Sequence, residues 1–266
     1  MHISLALTVA HDRCLNNEPS TKHYAEQLIA FHWSRGAALL NNKLSAGVAP
    51  SERDAVWACG GLLGVLTFSS IQAKTPEEAW PQSHSTSTDL DWLRIGEGKK
   101  AMMEIAKPFR PDGIFYPMML EFLKYAVPTQ LECIADLKNL PQGVVNLCGL
   151  EEVSVTHNNP YFPTASFLGR VIDIQCTRQN LPLFLGFFRF MHPEFKKLLQ
   201  NRDPASLMLL AIWYKKISHI DQWWVRQRTD LEYQATPQYI ASSYGDSPDI
   251  CSALQSLEVD IFFRNI

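Results

Sequence analysis

Apolar residues run almost unbroken through the stretch SERDAVWACGGLLGVLTFSSI, residues 51–71, where no charge falls between Ala55 and Phe68 and Thr67 is the sole hydroxyl. A surface helix alternates polar and apolar faces, so a helix that is apolar all round is predicted to be enclosed by other helices. Ser51 followed by Asp54 resembles a capping box with an acid in place of Glu or Gln. Gly60, Gly61 and Gly64 each cost roughly 1 kcal/mol of helix propensity against alanine, a cost that suits close approach of neighbouring backbones. The uncharged core falls short of the ~20 residues a bilayer span requires, so a buried helix is expected and no membrane span. A second such stretch, ASLMLLAIWY at 205–214, is its natural packing partner. Asp203 is placed to cap that helix, with Pro204 at the favoured first position. The expected fold is all-α, an irregular helical bundle built round these two buried helices at about 51–71 and 204–220.

The remaining segments support the same class. Residues 2–15 read as a helix broken at Asn16-Asn17-Glu18-Pro19. Ser20-Thr21 opens a longer one to about Leu44, with Tyr24, Leu28, Phe31, Arg35 and Leu39 on one face, and Gly47 and Pro50 end it. Residues 72–88, rich in Pro and Ser, predict a long exposed loop. Asp89 to Lys107 is helical, with Trp92, Ile95 and Met102-Met103 returning to one side, and 114–127 is apolar and aromatic with Pro117 in its first turn. An amphipathic helix is expected over 129–140 and an irregular segment over 141–163. Short helices separated by Pro182 and Pro193 follow, then DQWW at 221–224, a charged stretch through Glu232, and a last helix near 248–263. GVVNL at 143–147 and VSVT at 153–156 are the only strand candidates. No repeat of fixed period is present.

Composition narrows the function classes. The chain has 266 residues, 46% hydrophobic and 19% charged, with a net charge of -3, so it has no general attraction for phosphate backbones. The pairs Lys99-Lys100, Lys196-Lys197 and Lys215-Lys216 read as solvated helix faces. Six cysteines include no C-x-x-C pair, so no zinc motif is legible and a reduced, intracellular protein is the simplest reading. The N-terminus lacks a basic n-region and a small-residue cleavage site and reads as a helix rather than a signal peptide.

Enzymatic motifs are weak. His219-Ile-Asp221 has the H-x-D form of the 2-His-1-carboxylate iron sites, yet no histidine follows to supply the third ligand. Asp89-Leu-Asp91 lacks the D-D-x-x-D cluster of the helical terpene cyclases, and both aspartates suit helix caps. G-x-S-x-G and phosphate loops are absent from the sequence. No catalytic residue, metal ligand or cofactor is therefore expected.

Aromatic and methionine side chains are abundant instead, in three clusters: Trp213-Tyr214 with Trp223-Trp224, Met118-Met119 with Phe122, and Phe184 through Phe190. Such side chains pack cores, and they also adapt to irregular apolar ligands. An apolar cavity is expected between the central helix and segments 114–127 and 205–224. Met118, Met119, Phe122, Ile212, Trp213 and Trp223 are the candidate wall, chosen by composition.

Several segments, SERDAVWACGGLLGVLTFSS, TDLDWLRIGEGKKAMMEI and DPASLMLLAIWYKKISHIDQWW, resemble the C-terminal regulatory domain of fungal zinc binuclear-cluster transcription factors, nearest to the sterol uptake control type. The resemblance runs in order across most of the chain, including HISLALTVAHDR and HYAEQLIAFHWSRGAALLNNKL. It implies one regulatory domain over 1–266, acting in the nucleus on RNA polymerase II transcription, with shuttling from the cytoplasm. It implies transcriptional co-regulators as partners, an ergosterol-like ligand in an apolar pocket, and scope for a homodimer. The six-cysteine DNA-binding cluster of the family is absent, so no direct DNA binding is expected. Where the family commonly has a glycine after the tryptophan pair, Val225-Arg226-Gln227 stand here. The alternatives are a stand-alone apolar-ligand binding protein and a lipid or terpenoid enzyme with an aromatic cavity.

Overall fold

A computed structural model describes residues 1–15, 19–84, 89–123, 134–151 and 158–258. Within them the chain forms thirteen α-helices and no strand, so the all-α class holds. Two compact units result, Met1–Ile71 with Leu90–Tyr125, and Gln72–Asp89 with Ala126–Ile266. The two apolar helices fall in different units, so each builds a core of its own. No helix among the described residues is long and apolar enough to cross a membrane.

In the first unit, α1 (His2–Leu15) buries Ile3, Ala6 and Ala10, spaced three and four apart, against α2 (Pro19–Ala46). The contact is close because α2 offers Gly36, where a Cβ would stand 2.5 Å from Ile3 Cγ1. The face that Tyr24, Phe31 and Leu39 share is an outer one: Tyr24 is 65% and Phe31 61% exposed. Helix α2 thus buries Gly36, where the missing side chain lets α1 approach, and leaves Tyr24 and Phe31 outside.

Helix α3 (Arg53–Ser69) touches α1, α2 and α4 (Ile95–Ala106). It is not enclosed all round: Val56, Leu66 and Phe68 are buried, while most of its other residues are half-buried. The expected box at Ser51 and Asp54 is also replaced. A 3-10 turn, Pro50–Glu52, precedes the helix, and Glu52 Oε2 accepts the Ala49 N–H at 2.9 Å. Asp54 instead pairs with Arg110 at 2.7 Å and accepts the Ile114 N–H at 3.3 Å, tying the helix start to the loop after α4. Gly60 meets the expected close approach, with the Met102 methyl 2.7 Å from where a Cβ would be, whereas Gly61 faces open space. Phe68 meets Trp92 edge-on at 5.4 Å. The apolar segment after Pro111 is helical as α5 (Tyr116–Leu123), and 124–127 lie outside the described residues.

In the second unit, the expected exposed loop has a buried anchor. Trp80 is 4% exposed, and Arg202 Nη2 donates to the Ser83 carbonyl at 2.5 Å. The strand candidate GVVNL is helix α6 (Gln142–Leu147), packed on α13 (Pro248–Glu258) with Gly143 admitting the Ser252–Ala253 backbone. Two β-branched residues are too few to override that contact. VSVT, the first residues of the 129–140 segment, and 259–263 lie outside the described residues. Helices α7 (Phe162–Val171), α8 (Leu181–Phe184), α9 (Phe187–Phe190) and α10 (Pro193–Gln200) follow, and Pro182 and Pro193 sit in first turns, where a missing N–H costs nothing.

Helix α11 (Pro204–Ile217) is buried at every residue from Ala205 to Tyr214, and Asp203 Oδ2 caps it by accepting the Ser206 N–H at 2.9 Å. It contacts α6, α7, α8, α10, α12 and α13. The charged stretch after DQWW is helix α12 (Trp223–Tyr244), whose inward face carries Val225, Arg228, Thr229, Glu232, Ala235 and Thr236 at spacings of three and four. Its polar composition hid that face.

An apolar groove in the first unit

Helices α2 and α3 form a hairpin closed through Gly47, which takes a left-handed φ of 93°. The start of α1 lies across it. Between them runs an open groove of about 280 Å³. Helix α2 supplies Gly36, Leu39 and Leu40 to its wall, and α3 supplies Ala55, Val56 and Cys59. Ile3 closes the end where Gly36 leaves room for it.

The opposite end is charged. Lys43 Nζ and Glu52 Oε1 meet at 2.5 Å, both about two-fifths exposed at 40% and 38%. The Lys43 hydrogen bond, then the Ala49 N–H, hold the Glu52 carboxyl below the usual carboxylate range. His2, also on the groove, shares a hydrogen bond with His32 at 2.8 Å between their Nδ1 atoms. One imidazole donates and the other accepts, so the pair ties α1 to α2.

None of the five described residues among the six chosen by composition lines this groove. Met118 and Met119 are neighbours on α5 and point apart, at 42% and 2% exposure. The Phe122 side chain lies outside the described residues. Ile212 and Trp213 are buried in α11, and Trp223 is half-buried at the start of α12. Trp213 is satisfied as a core residue: its Nε1 donates to the Phe184 carbonyl at 2.8 Å, and its ring stacks on Phe187 at 4.8 Å. Three candidates belong to the first unit and three to the second. The groove residues carried one sequence signal, a Lys and a Glu of opposite charge flanking the Gly47–Pro50 break.

The second unit contains a buried polar cluster. Tyr214 Oη and Arg228 Nη1 both donate to the Glu232 carboxylate, and all three side chains are buried. Burial raises the Glu232 carboxyl, and Arg228 and the Tyr214 hydroxyl pull it back down. The Tyr214 phenol is pushed well up by burial and then by the Glu232 charge. The cluster joins α11 to α12 with its charges matched, which suits a structural tie.

Other candidate chemistry is dispersed. Burial pushes the Cys148 thiol far up and the Cys176 thiol to about 11, which disfavours the nucleophilic thiolate. Asp221 is exposed, and its carbonyl accepts from Arg178 at 3.1 Å. Among the described residues no three His, Cys, Asp or Glu side chains gather as a metal site would require. Comparison with family models, with curated proteins and with solved structures finds no match to this chain.

Proposed function

We propose that this protein is a ligand-responsive regulatory module of the fungal zinc binuclear-cluster type, acting with co-regulators in the nucleus, and that its ligand is an apolar small molecule. The groove along α3 carries the reading: it is an open concavity of about 280 Å³ lined mainly by aliphatic side chains, with Lys43 and Glu52 at one end and His2 beside Ile3 at the other. Apolar lining with few polar groups is a feature of small-molecule sites. The resemblance of the α3, α4 and α11 segments supplies the regulatory class. The site moves from the position expected by composition, keeping the central helix as one wall and exchanging the aromatic clusters for α1 and α2.

The test is a thermal melt of the full chain with ergosterol and with single-chain lipids, paired with Ala55→Phe. Ala55 is exposed on the groove, so phenylalanine fills the space without entering the core. A ligand at a hundredfold excess over its Kd adds about 2.7 kcal/mol. Stabilisation in the parent and its loss in Ala55→Phe is the expected result. Equal stabilisation of both removes the groove as the site, and no stabilisation by any apolar ligand removes the sensing function. Sequence-selective nanomolar binding of duplex DNA at physiological salt would also contradict the reading, since the chain offers no cationic surface by net charge.

A further inference from the structure

The groove has unlike ends, and the difference selects a ligand. At the inner end Gly36, Ile3 and Cys59 present no charge, and the His2 imidazole beside Ile3 is engaged by His32. At the outer end the Lys43 ammonium and Glu52 carboxylate sit side by side at 2.5 Å, within reach of solvent. From Gly36 to Lys43 helix α2 advances seven residues, or roughly 10 Å at 1.5 Å per residue. With carbon–carbon bonds of about 1.5 Å, an extended alkyl chain advances roughly 1.25 Å per carbon, so the floor suits ~8 carbons.

The paired charges decide the head group. Lys43 carries donors beyond the one engaged by Glu52, and the Glu52 carboxylate keeps free lone pairs. A hydroxyl or primary amide both donates and accepts, so it can bond to both members at once. A carboxylate gains Lys43 but lies against Glu52, and an alkylammonium meets the converse repulsion. A fused-ring sterol is stiff and longer than this floor. We infer that the groove takes a neutral single-chain amphiphile of ~8 carbons, its hydroxyl or amide head on the Lys43–Glu52 pair and its tail toward Cys59. This rests on the groove being the ligand site proposed above.

Cys59 reports on occupancy. It is a half-buried free thiol on the groove wall, while Cys14 and Cys251 are exposed and serve as internal controls. The experiment follows N-ethylmaleimide labelling of each cysteine in the full chain by peptide mass spectrometry. The probes are 1-octanol, octanamide, octanoate, octylammonium and ergosterol. Octanol and octanamide are expected to protect Cys59 while the controls label at unchanged rates. Octanoate is expected to need at least about tenfold more ligand, the worth of a single hydrogen bond to a charged group. Glu52→Gln keeps an acceptor for Ala49 and removes the repulsion, so it should bring octanoate level with octanol. Lys43→Gln should weaken both and serves as the second variant if Glu52→Gln unfolds.

Equal protection by octanoate and octanol in the parent overturns the head-group assignment and leaves the site standing. Protection by ergosterol alone does the same and returns the groove to a sterol. Protection by none of the five overturns both this inference and the site.

Discussion

Helices α3 and α11 look alike in sequence and have different fates. Each has a long uncharged interior, yet α11 is buried at every residue from Ala205 to Tyr214, whereas α3 is fully buried at Val56, Leu66 and Phe68. Their neighbours differ. Among the described residues six helices touch α11, and an aspartate cap fixes its start, while α3 has α1, α2, α4 and two 3-10 turns. Their side chains differ too. Gly60, Gly61, Ala55 and Ala58 give the middle of α3 little apolar area, so leaving it half-covered costs little. An uninterrupted apolar run therefore states an aversion to water, and the area of its side chains states how strong that aversion is. In α3 the uncovered remainder becomes a groove wall.

The largest expected effect tests that contrast with one substitution made twice. Trp213→Ala removes a fully buried ring, its stacking on Phe187 and its bond to Phe184, and should cost about 3–5 kcal/mol in urea denaturation. Trp57→Ala in half-buried α3 should cost about 1–2 kcal/mol. Equal costs would show that α3 is as central as α11.

Next comes the tie between α11 and α12. Glu232→Gln leaves Arg228 buried without its counter-charge and should cost about 3 kcal/mol. It should also alter the pH dependence. Burial raises the Glu232 carboxyl above its ordinary 4.5, so the folded chain holds that proton more tightly than the unfolded chain. Its contribution is thus fully present below 4.5 and declines as pH rises through the folded value. Chemical melts across that window should slope downward in the parent and lose this component in Glu232→Gln. A parent whose slope is identical to the variant's would rule out a raised carboxyl.

The helix starts give a smaller contrast. Asp203→Ala removes the acceptor for Ser206 and the partner of the Tyr161 hydroxyl, and should cost about 1–2 kcal/mol. Ser51→Ala should stay within ~0.5 kcal/mol, because Ser51 is exposed and Glu52 supplies the acceptor for the Ala49 N–H at this start. Thermal melts that reverse this order would restore the box expected at Ser51.

The smallest effect separates two adjacent glycines. Gly61→Ala enters open space in a helix and should stabilise by up to ~1 kcal/mol, whereas Gly60→Ala must displace the Met102 methyl and should gain less or lose stability. A gain at Gly60 matching that at Gly61 would mean that Met102 moves freely.

The sequence by itself determined the helical class, since periodicity and the lack of sustained strand patterns are local properties of the chain. It also determined the Asp203–Pro204 start of α11, because a cap acts within one turn, and the enclosure of 205–214, whose large side chains leave no face for water. It predicted an apolar site beside the central helix but placed the other wall among the aromatic clusters. Tertiary structure set the described candidates apart from the groove beside α3, because composition counts apolar side chains without showing where each points. Trp213 found Phe184 and Phe187 within its own unit, and Met118 and Met119 were turned apart by one step of α5. The inward face of α12 was hidden for a related reason: Arg228 and Glu232 belong to a charged stretch, and their partner Tyr214 lies eighteen positions before Glu232 on another helix. The groove itself depends on Gly36 letting Ile3 approach and on Lys43 meeting Glu52 across the hairpin. Each joins two separate helices or turns, and its partner is set by packing rather than by local sequence.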